Sequence, residues 1–175
     1  MARALVLTVI GKDRPGLVEA LADFISNHEG NWDESRMARL AGHFAGVVQI
    51  HLPENQAEKF ISALPTLADR GLTVSVVDSD WKLVEVDHRN ILHLELVGQD
   101  HPGIVREISS KLAVLGVSVQ DLRTVIESAP MSGERIFRAK AELVPPAQTS
   151  FEHIRLALHK LADDIMIDII LKIGP

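Results

Sequence analysis

The chain has 175 residues, of which 46% are hydrophobic but only 4% aromatic, and it contains no cysteine. This length permits one or two domains with mainly aliphatic cores, while the lack of cysteine excludes disulfides, thiol catalysis and thiolate metal sites. The formal net charge of −6, without a basic run or recognition motif, argues against direct binding to nucleic acid, because Lys and Arg neutralise the phosphates.

The first half begins with a strand and a helix joined by a glycine-rich turn. Alternating apolar residues on one face of the predicted strand are Leu5, Leu7 and Val9. A helix is predicted over residues 15–28, with Pro15 at its first position and Asp13 as an N-cap acceptor. Its apolar stripe at helical spacing comprises Leu17, Val18, Leu21, Phe24 and Ile25.

The rest of the first half predicts two strands, a helix and a last strand. The two strands cover residues 31–40 and 44–52, with Ala41-Gly42 as the turn between them. A helix follows over residues 54–70, which Pro65 kinks or shortens. The last strand is predicted over residues 72–77.

The second half repeats this order. Its first strand carries Leu92, Leu94 and Leu96 on one face, and its first helix has the apolar stripe Ile104, Val105, Ile108, Leu112 and Leu115. The later predicted elements are strands 118–127 and 136–144, a helix over residues 149–163, and a strand over residues 165–173.

The turn sequence itself occurs twice. G-K-D-R-P-G at residues 11–16 reappears as G-Q-D-H-P-G at residues 98–103, so the offset between the copies is 87 residues. The match extends without a gap from about residue 4 to residue 36. An internal repeat of this kind predicts two copies of one structural unit.

The repeated order β-α-β-β-α-β predicts an α+β fold of two ferredoxin-like domains. Each has two helices packed on one face of a four-stranded antiparallel sheet. We place the first domain at residues 1–78, a charged linker at residues 79–87 and the second domain at residues 88–175. Residues 81–86 could alternatively form a further strand.

Each glycine-rich turn has the chemistry to receive an amino acid. Glycine lets a ligand approach the backbone closely, and the free N–H groups of a helix N-terminus attract a carboxylate. Asp13 or Asp100 could accept hydrogen bonds from the ammonium group. The alternative is that Asp-x-Pro-Gly is only a good turn and cap, and a gene duplication copies a structural turn equally well.

These turns, in their strand-turn-helix context, resemble the ACT domain, a small regulatory module that commonly binds amino acids. D-R-P-G-L-V at residues 13–18 followed by N-W-D-E-S-R-M at residues 31–37 is similar to the tandem-ACT glycine cleavage system transcriptional repressors. The second copy departs from this pattern, since His101 replaces the Arg and Ser118 replaces the Asn. The two copies are therefore expected to bind ligand differently, with the first binding more tightly.

The resemblance implies where ligand binds and what the chain does. Ligand lies between the first turn and the start of the second strand, usually at a contact between two ACT domains. The matching residues are Gly11, Asp13, Arg14, Pro15, Gly16, Leu17 and Asn31 in the first copy, and Gly98, Asp100, Pro102, Gly103 and Ser118 in the second. We expect a carboxylate to meet the N–H groups of Arg14, Gly16 and Leu17, with Asn31 bonding across the site.

The resemblance also implies a non-enzymatic regulator that senses a small amino acid, with glycine favoured. It acts on a partner transcription factor, without direct contact to nucleic acid, and a homodimer through ACT–ACT contacts is compatible with it. The alternatives are an allosteric subunit of an amino-acid metabolic enzyme and a scaffold that binds no ligand.

Other site classes find little support in the sequence. The eight histidines are scattered without the spacing of a metal site, and no nucleophile or nucleotide-binding motif occurs, so we predict no metal, no cofactor and no catalysis. Arg36 and Arg123 could pair with Glu34 and Asp121 or bind a ligand carboxylate, and we favour the surface pairs. Because no signal peptide or membrane-length apolar run occurs, we expect a cytoplasmic location without membrane association.

Overall fold

The computed structural model describes residues 2–79, 91–130 and 132–174. The chain divides into two compact units, Met1–Val84 and Glu85–Pro175. Most of the proposed linker, and the alternative strand at residues 81–86, lie outside the described residues. No helix within the described ranges is both long and apolar enough to traverse a membrane.

The first unit has the predicted β-α-β-β-α-β order. Its elements are β1 (Ala2–Lys12), α1 (Leu17–Asn27), β2 (Asn31–Leu40), β3 (His43–Pro53), α2 (Glu54–Ala63), a 3-10 helix (Leu64–Arg70) and β4 (Thr73–Asp78). The four strands form one antiparallel sheet in the order β2-β3-β1-β4. The second predicted helix changes to a 3-10 helix near Pro65, because proline cannot donate the next helical hydrogen bond.

The second unit repeats this topology. Its elements are β5 (Leu92–Gln99), α3 (Ile104–Val114), β6 (Ser118–Ser128), β7 (Arg135–Val144), α4 (Phe151–Ile165) and β8 (Ile167–Ile173). The strand order is β6-β7-β5-β8, again antiparallel throughout. The predicted fold, two ferredoxin-like antiparallel sheets with helices, is confirmed.

Each unit has its own core between one sheet face and its helices. The first core is centred on Leu5, Leu7, Val9, Leu21, Ile25, Val48, Ile50 and Phe60. The second is centred on Leu92, Leu94, Leu96, Ile108, Leu112, Phe137, Leu143 and Ile154. The other sheet face remains open, which explains why alternate residues of β1 are buried.

Two details of the predicted helices are wrong. Pro15 does not begin the first helix, because Gly16 precedes Leu17 in a left-handed conformation with φ of 87° and the chain turns helical only after it. Gly103 does the same before α3, with φ of 93°. Val18 and Val105, which the periodicity places on the apolar stripes, are 47% and 43% exposed.

Candidate functional site

The turn after β1 is held by contacts to its neighbours. The Asp13 N–H donates to the carbonyl of Gly42 at 3.0 Å, and the Asp13 carboxylate pairs with Arg39 at 2.8 Å. The guanidinium of Arg14 donates to the carbonyl of Arg70 at 2.6 Å. The prediction that Asp13 caps the helix is wrong, because no side chain caps α1 and this carboxylate already has a cationic partner.

The turn after β5 repeats this arrangement with a different arginine. The Asp100 N–H donates to the carbonyl of Arg135 at 2.8 Å, and the Asp100 carboxylate pairs with the same residue at 3.1 Å. Arg135 begins β7, whereas Arg39 lies near the end of β2. In each unit an arginine of the hairpin therefore pairs with the turn aspartate, but this arginine precedes the hairpin loop in the first unit and follows it in the second.

The glycines of the turn have two separate roles. A Cβ on Gly11 would lie 2.3 Å from the carbonyl oxygen of Gly71, and one on Gly98 would lie 2.4 Å from the Ile167 side chain. Both positions thus allow close strand packing within the unit. At Gly103 a Cβ would meet no atom within 4 Å, so that glycine supplies the left-handed conformation and leaves open space before the helix.

The backbone N–H groups at the helix start are the main polar groups that the first turn offers. The first N–H groups of α1, beginning with Leu17, have no acceptor within their own helix. In the second unit the N–H of Ile104 makes a long bond of 3.4 Å to the carbonyl of His101. Pro15 and Gly16 are exposed, and so are Pro102 and Gly103, so both helix starts are open to a ligand.

Asn31 lies at the other end of the sheet from this turn. It pairs in register with His51, which pairs with Ala4, whereas Asp13 follows the other end of β1. Ala4 and Lys12 are eight residues apart, about 26 Å at ~3.3 Å per residue. Asn31 and the turn of the first unit therefore do not meet at one site within that unit.

The second unit has the same separation. Ser118 pairs with Val144, beyond the register position of Leu92, whereas Asp100 follows the opposite end of β5. The physical reason is general to this topology: the first helix returns the chain to the end of the sheet where the first strand began. The turn and the second-strand start of one unit therefore cannot contact the same small ligand.

Sequence reasoning missed a polar cluster around Asn31. Asp33 lies at a β-bulge between Trp32 and Glu34, and its Oδ1 accepts from the Asn31 amide at 2.9 Å. The same oxygen lies 2.7 Å from Nδ1 of His51, and the Asp33 side chain is only 16% exposed. The sequence signal is the pair of nearby polar residues Asn31 and Asp33 at the start of a strand. The β-bulge is what lets Asn31 and His51 contact the same Asp33 oxygen.

In the described part of the chain, one cavity lies beside the first turn. A cavity of about 370 Å³ is lined by Gly11, Lys12 and His43 on one side and by residues of the 3-10 helix and β4 on the other. No group of three acidic or histidine side chains within the described ranges is arranged to hold a metal ion.

Comparison with known proteins agrees with this architecture. The sequence model of the ACT domain matches residues 3–77. The crystal structure of an unknown protein from Galdieria sulphuraria has a TM-score of 0.80 and 26% identity, with 100% of each chain covered. That of a "putative glycine cleavage system transcriptional repressor" has a TM-score of 0.77 and 15% identity, with 98% of this chain and 97% of that one covered.

No curated protein is similar enough in sequence to match this chain. The ACT-domain model thus matches the first unit, and the whole chain has a tandem ACT-like fold similar to that of the repressor structure.

Proposed function

We propose that this chain is a non-enzymatic regulatory protein that senses a small amino acid and acts on a protein partner. The observation that carries the proposal is the ACT-domain match over residues 3–77, combined with an open helix start behind a left-handed glycine in each unit. ACT domains are regulatory modules for small molecules. Glycine is the favoured ligand and a transcription factor the favoured partner, because of the resemblance to the repressor structure.

The proposed site takes its groups from two ACT domains. The helix start at Gly16 and Leu17 receives the carboxylate through backbone N–H groups and the positive end of the helix dipole. An amide such as Asn31, from the start of the second strand in a second copy of the chain, completes it. This arrangement keeps every residue of the expected set and accommodates the separation of Asn31 from its own turn.

Calorimetry against the standard amino acids tests the proposal directly. For the ligand that binds, Asn31→Ser should weaken affinity about tenfold to a hundredfold, since losing one hydrogen bond to a charged ligand costs about 1.5–3 kcal/mol. The matched variant Ser118→Asn should strengthen binding or add a second binding event. If Asn31→Ser leaves the affinity of a confirmed ligand unchanged, the proposed role of the amide is wrong.

The role of Asp13 needs a separate pair of variants, because its carboxylate already contacts Arg39 at 2.8 Å. If Asp13 also binds the ammonium group, Asp13→Asn should weaken binding while Arg39→Ala leaves it unchanged or tightens it. If Asp13 only holds the hairpin, both variants should affect binding to the same small extent. Thermal unfolding of each variant controls for loss of structure.

A scaffold that binds no ligand is the second candidate, favoured by one observation: Asp13, Arg14 and Asp100 all have partners within the protein. Absence of heat with every amino acid would favour it. An affinity pull-down then identifies the partner, and a metabolic enzyme in place of a transcription factor would indicate the allosteric-subunit alternative. The purified protein alone should not shift DNA in a gel at physiological salt.

A further inference from the structure

The second sheet has a charged cavity on the face that is turned away from its core. The cavity has a volume of about 260 Å³, which gives room for a small molecule but not for a drug-sized one. The charged or titratable side chains that line it come from three neighbouring strands and are His93, Glu95, Asp121, Arg123, Lys140 and Glu142. They alternate with buried residues such as Leu94 and Ala141, so they leave the sheet on its open face.

Like charges lie side by side in this cavity. Asp121 pairs in register with Glu142, so two carboxylates occupy directly opposed positions on β6 and β7. Two residues along the strands, Arg123 pairs in register with Lys140, so two cations are opposed in the same way. Like charges directly opposite each other destabilise a sheet. The second unit therefore carries an unfavourable arrangement at both positions.

The first unit does not have these opposed like charges. At the equivalent positions of its sheet, Glu34 pairs in register with Gln49, and Arg36 pairs with Val47. Neutral residues thus stand on β3 where the second unit has its second carboxylate and its second cation on β7. The shared topology folds without the doubled charges, so they are a property of the second unit and not of the fold.

Ion pairs inside the cavity neutralise only part of this charge. Arg123 lies 3.3 Å from Asp121, and Lys140 lies 3.6 Å from Glu95, which is longer than the roughly 2.7–2.9 Å of a charge-assisted hydrogen bond. No ion pair within the described ranges includes Glu142. The side chains of Arg123 and Lys140 are 84% and 74% exposed, so their donors remain open to a ligand.

An ion pair next to the cavity on the same sheet face differs in both respects. Arg138 lies two residues along β7 from Lys140 and donates to Glu127 at 2.9 Å. Its register partners are Val97 and Val125, so no like charge opposes it. Neither member of this pair lines the cavity. This pair is therefore the local example of a solvated surface pair that needs no further partner.

The two rows of charge are complementary to a small zwitterion. Successive residues on one face of a strand are about 6.6 Å apart, at ~3.3 Å per residue, so one short molecule can reach both rows. An ammonium group fits between Asp121 and Glu142, and a carboxylate fits between Arg123 and Lys140. A metal cation or a simple anion would relieve the repulsion in one row only, and it would be repelled by the other row.

We propose that this cavity binds a small zwitterion, with its ammonium group on Asp121 and Glu142 and its carboxylate on Arg123 and Lys140. This binding goes beyond the proposed function, because it uses side chains of the open sheet face and no N–H group of a helix start. It is also confined to the second unit. Different residues carry the two proposals, so each can fail while the other stands.

Amide NMR titration of the whole chain with glycine, β-alanine and γ-aminobutyrate locates the binding. At least one of these zwitterions should cause saturable shifts centred on the amides of Asp121, Arg123, Lys140 and Glu142. Acetate and methylammonium should bind about tenfold more weakly, because each carries one charge and relieves one row. Saturable shifts only at the starts of α1 and α3 would overturn this proposal and support the helix-start site. Absence of saturable shifts with all three zwitterions would also overturn it.

Two variants give the cavity the residues of the first unit. Glu142→Gln and Lys140→Val should each weaken binding about tenfold, since each removes a charged contact to the ligand. The matched controls Glu127→Gln and Arg138→Val make the same change in charge on the same face, and they should leave the affinity unchanged. Asn31→Ser, which tests the helix-start site, should leave these shifts unchanged as well. Equal losses in the cavity variants and their controls would indicate a general effect of charge and would overturn the proposal.

Discussion

The two units differ most at the start of their second strands. Both strands carry a β-bulge at the same position, at Asp33 in one and at Gln120 in the other. The Asp33 carboxylate contacts Asn31 and His51. In the second unit Ser118 and Val144 occupy the corresponding positions, and the Oε1 atom of Gln120 is buried without a hydrogen-bond partner in the described part of the chain.

The two units therefore share a backbone arrangement but differ in the side chains at this position. The bulge, the left-handed glycine before the first helix and the paired aspartate of the turn occur in both units. The polar cluster occurs in one. A function that depends on the amide of Asn31 therefore belongs to the first unit, while the opposed like charges on the open sheet face belong to the second.

The largest effect is expected at the glycines where the first strand of each unit packs closest to its neighbour. Gly11→Ala should destabilise the first unit by about 1–3 kcal/mol, since the new Cβ would meet a backbone oxygen and overpack the site. Gly98→Ala should cost less, because the Ile167 side chain can shift. Urea unfolding measures both, and a larger loss for Gly98→Ala would reverse this comparison.

Exchanging the residues at the start of the second strands should have an intermediate effect. Trp32→Val gives the first unit the residue that the second has at Val119, and it should lose about 1–2 kcal/mol, because the half-buried indole covers part of the core. Val119→Trp should instead cover the apolar groove between α3 and β6, where Val119 is 44% exposed, and should not destabilise the second unit. Thermal unfolding of the two variants tests this, and a loss in Val119→Trp as large as that in Trp32→Val would contradict the comparison.

The smallest effect is expected in acid. Arg3 donates to both oxygens of Asp78 at 2.7 and 3.0 Å, and this lowers the pKa of Asp78 below its ordinary 3.8. A lowered pKa in the folded state stabilises the protein above the ordinary pKa, and this stabilisation is lost as the pH falls through the folded value. Asp78→Asn should therefore flatten the acid dependence of stability for the first unit.

A matched pair in the second unit provides the control. Arg155 lowers the pKa of Glu152 within the single helix α4, whereas Arg3 connects β1 with β4 and, at 2.9 Å, with Glu58 of α2. Glu152→Gln should leave the acid dependence of the first unit unchanged. Amide hydrogen exchange in β1 against pH measures it, and equal changes in both variants would show that the effect is not local to the ion pair.

The periodicity of the sequence predicted nearly every element, because each strand buries one face and each helix one stripe. Leu5 and Leu7 are buried as alternation requires, and β2 has the predicted bounds. The sequence predicts the start of α1 too early, because a proline suits a first helical position but the left-handed Gly16 lies between Pro15 and the helix. Val18 is exposed because it lies at the margin of the stripe.

The candidate site was less predictable, because it depends on contacts between residues far apart in sequence. Arg39 and Arg135, which hold the turn aspartates, belong to no motif that the aspartates share. The separation of Asn31 from its turn followed from topology alone. The two parts of the motif are close in sequence, but α1 lies between them and carries Asn31 to the other end of the sheet.

The central position of β1 has a consequence for synthesis on the ribosome. β1 is made first, yet its two neighbours in the sheet are β3, at His43–Pro53, and β4, at Thr73–Asp78. Leu5 pairs with Asp78, so an emerging chain must keep an apolar strand unpaired on one side until the whole first unit has been translated. Among the residues that the structure describes, no strand of the second unit joins this sheet. The first unit can therefore complete its sheet while the second is still being made, which limits the time for which its most hydrophobic strand is open to other nascent chains.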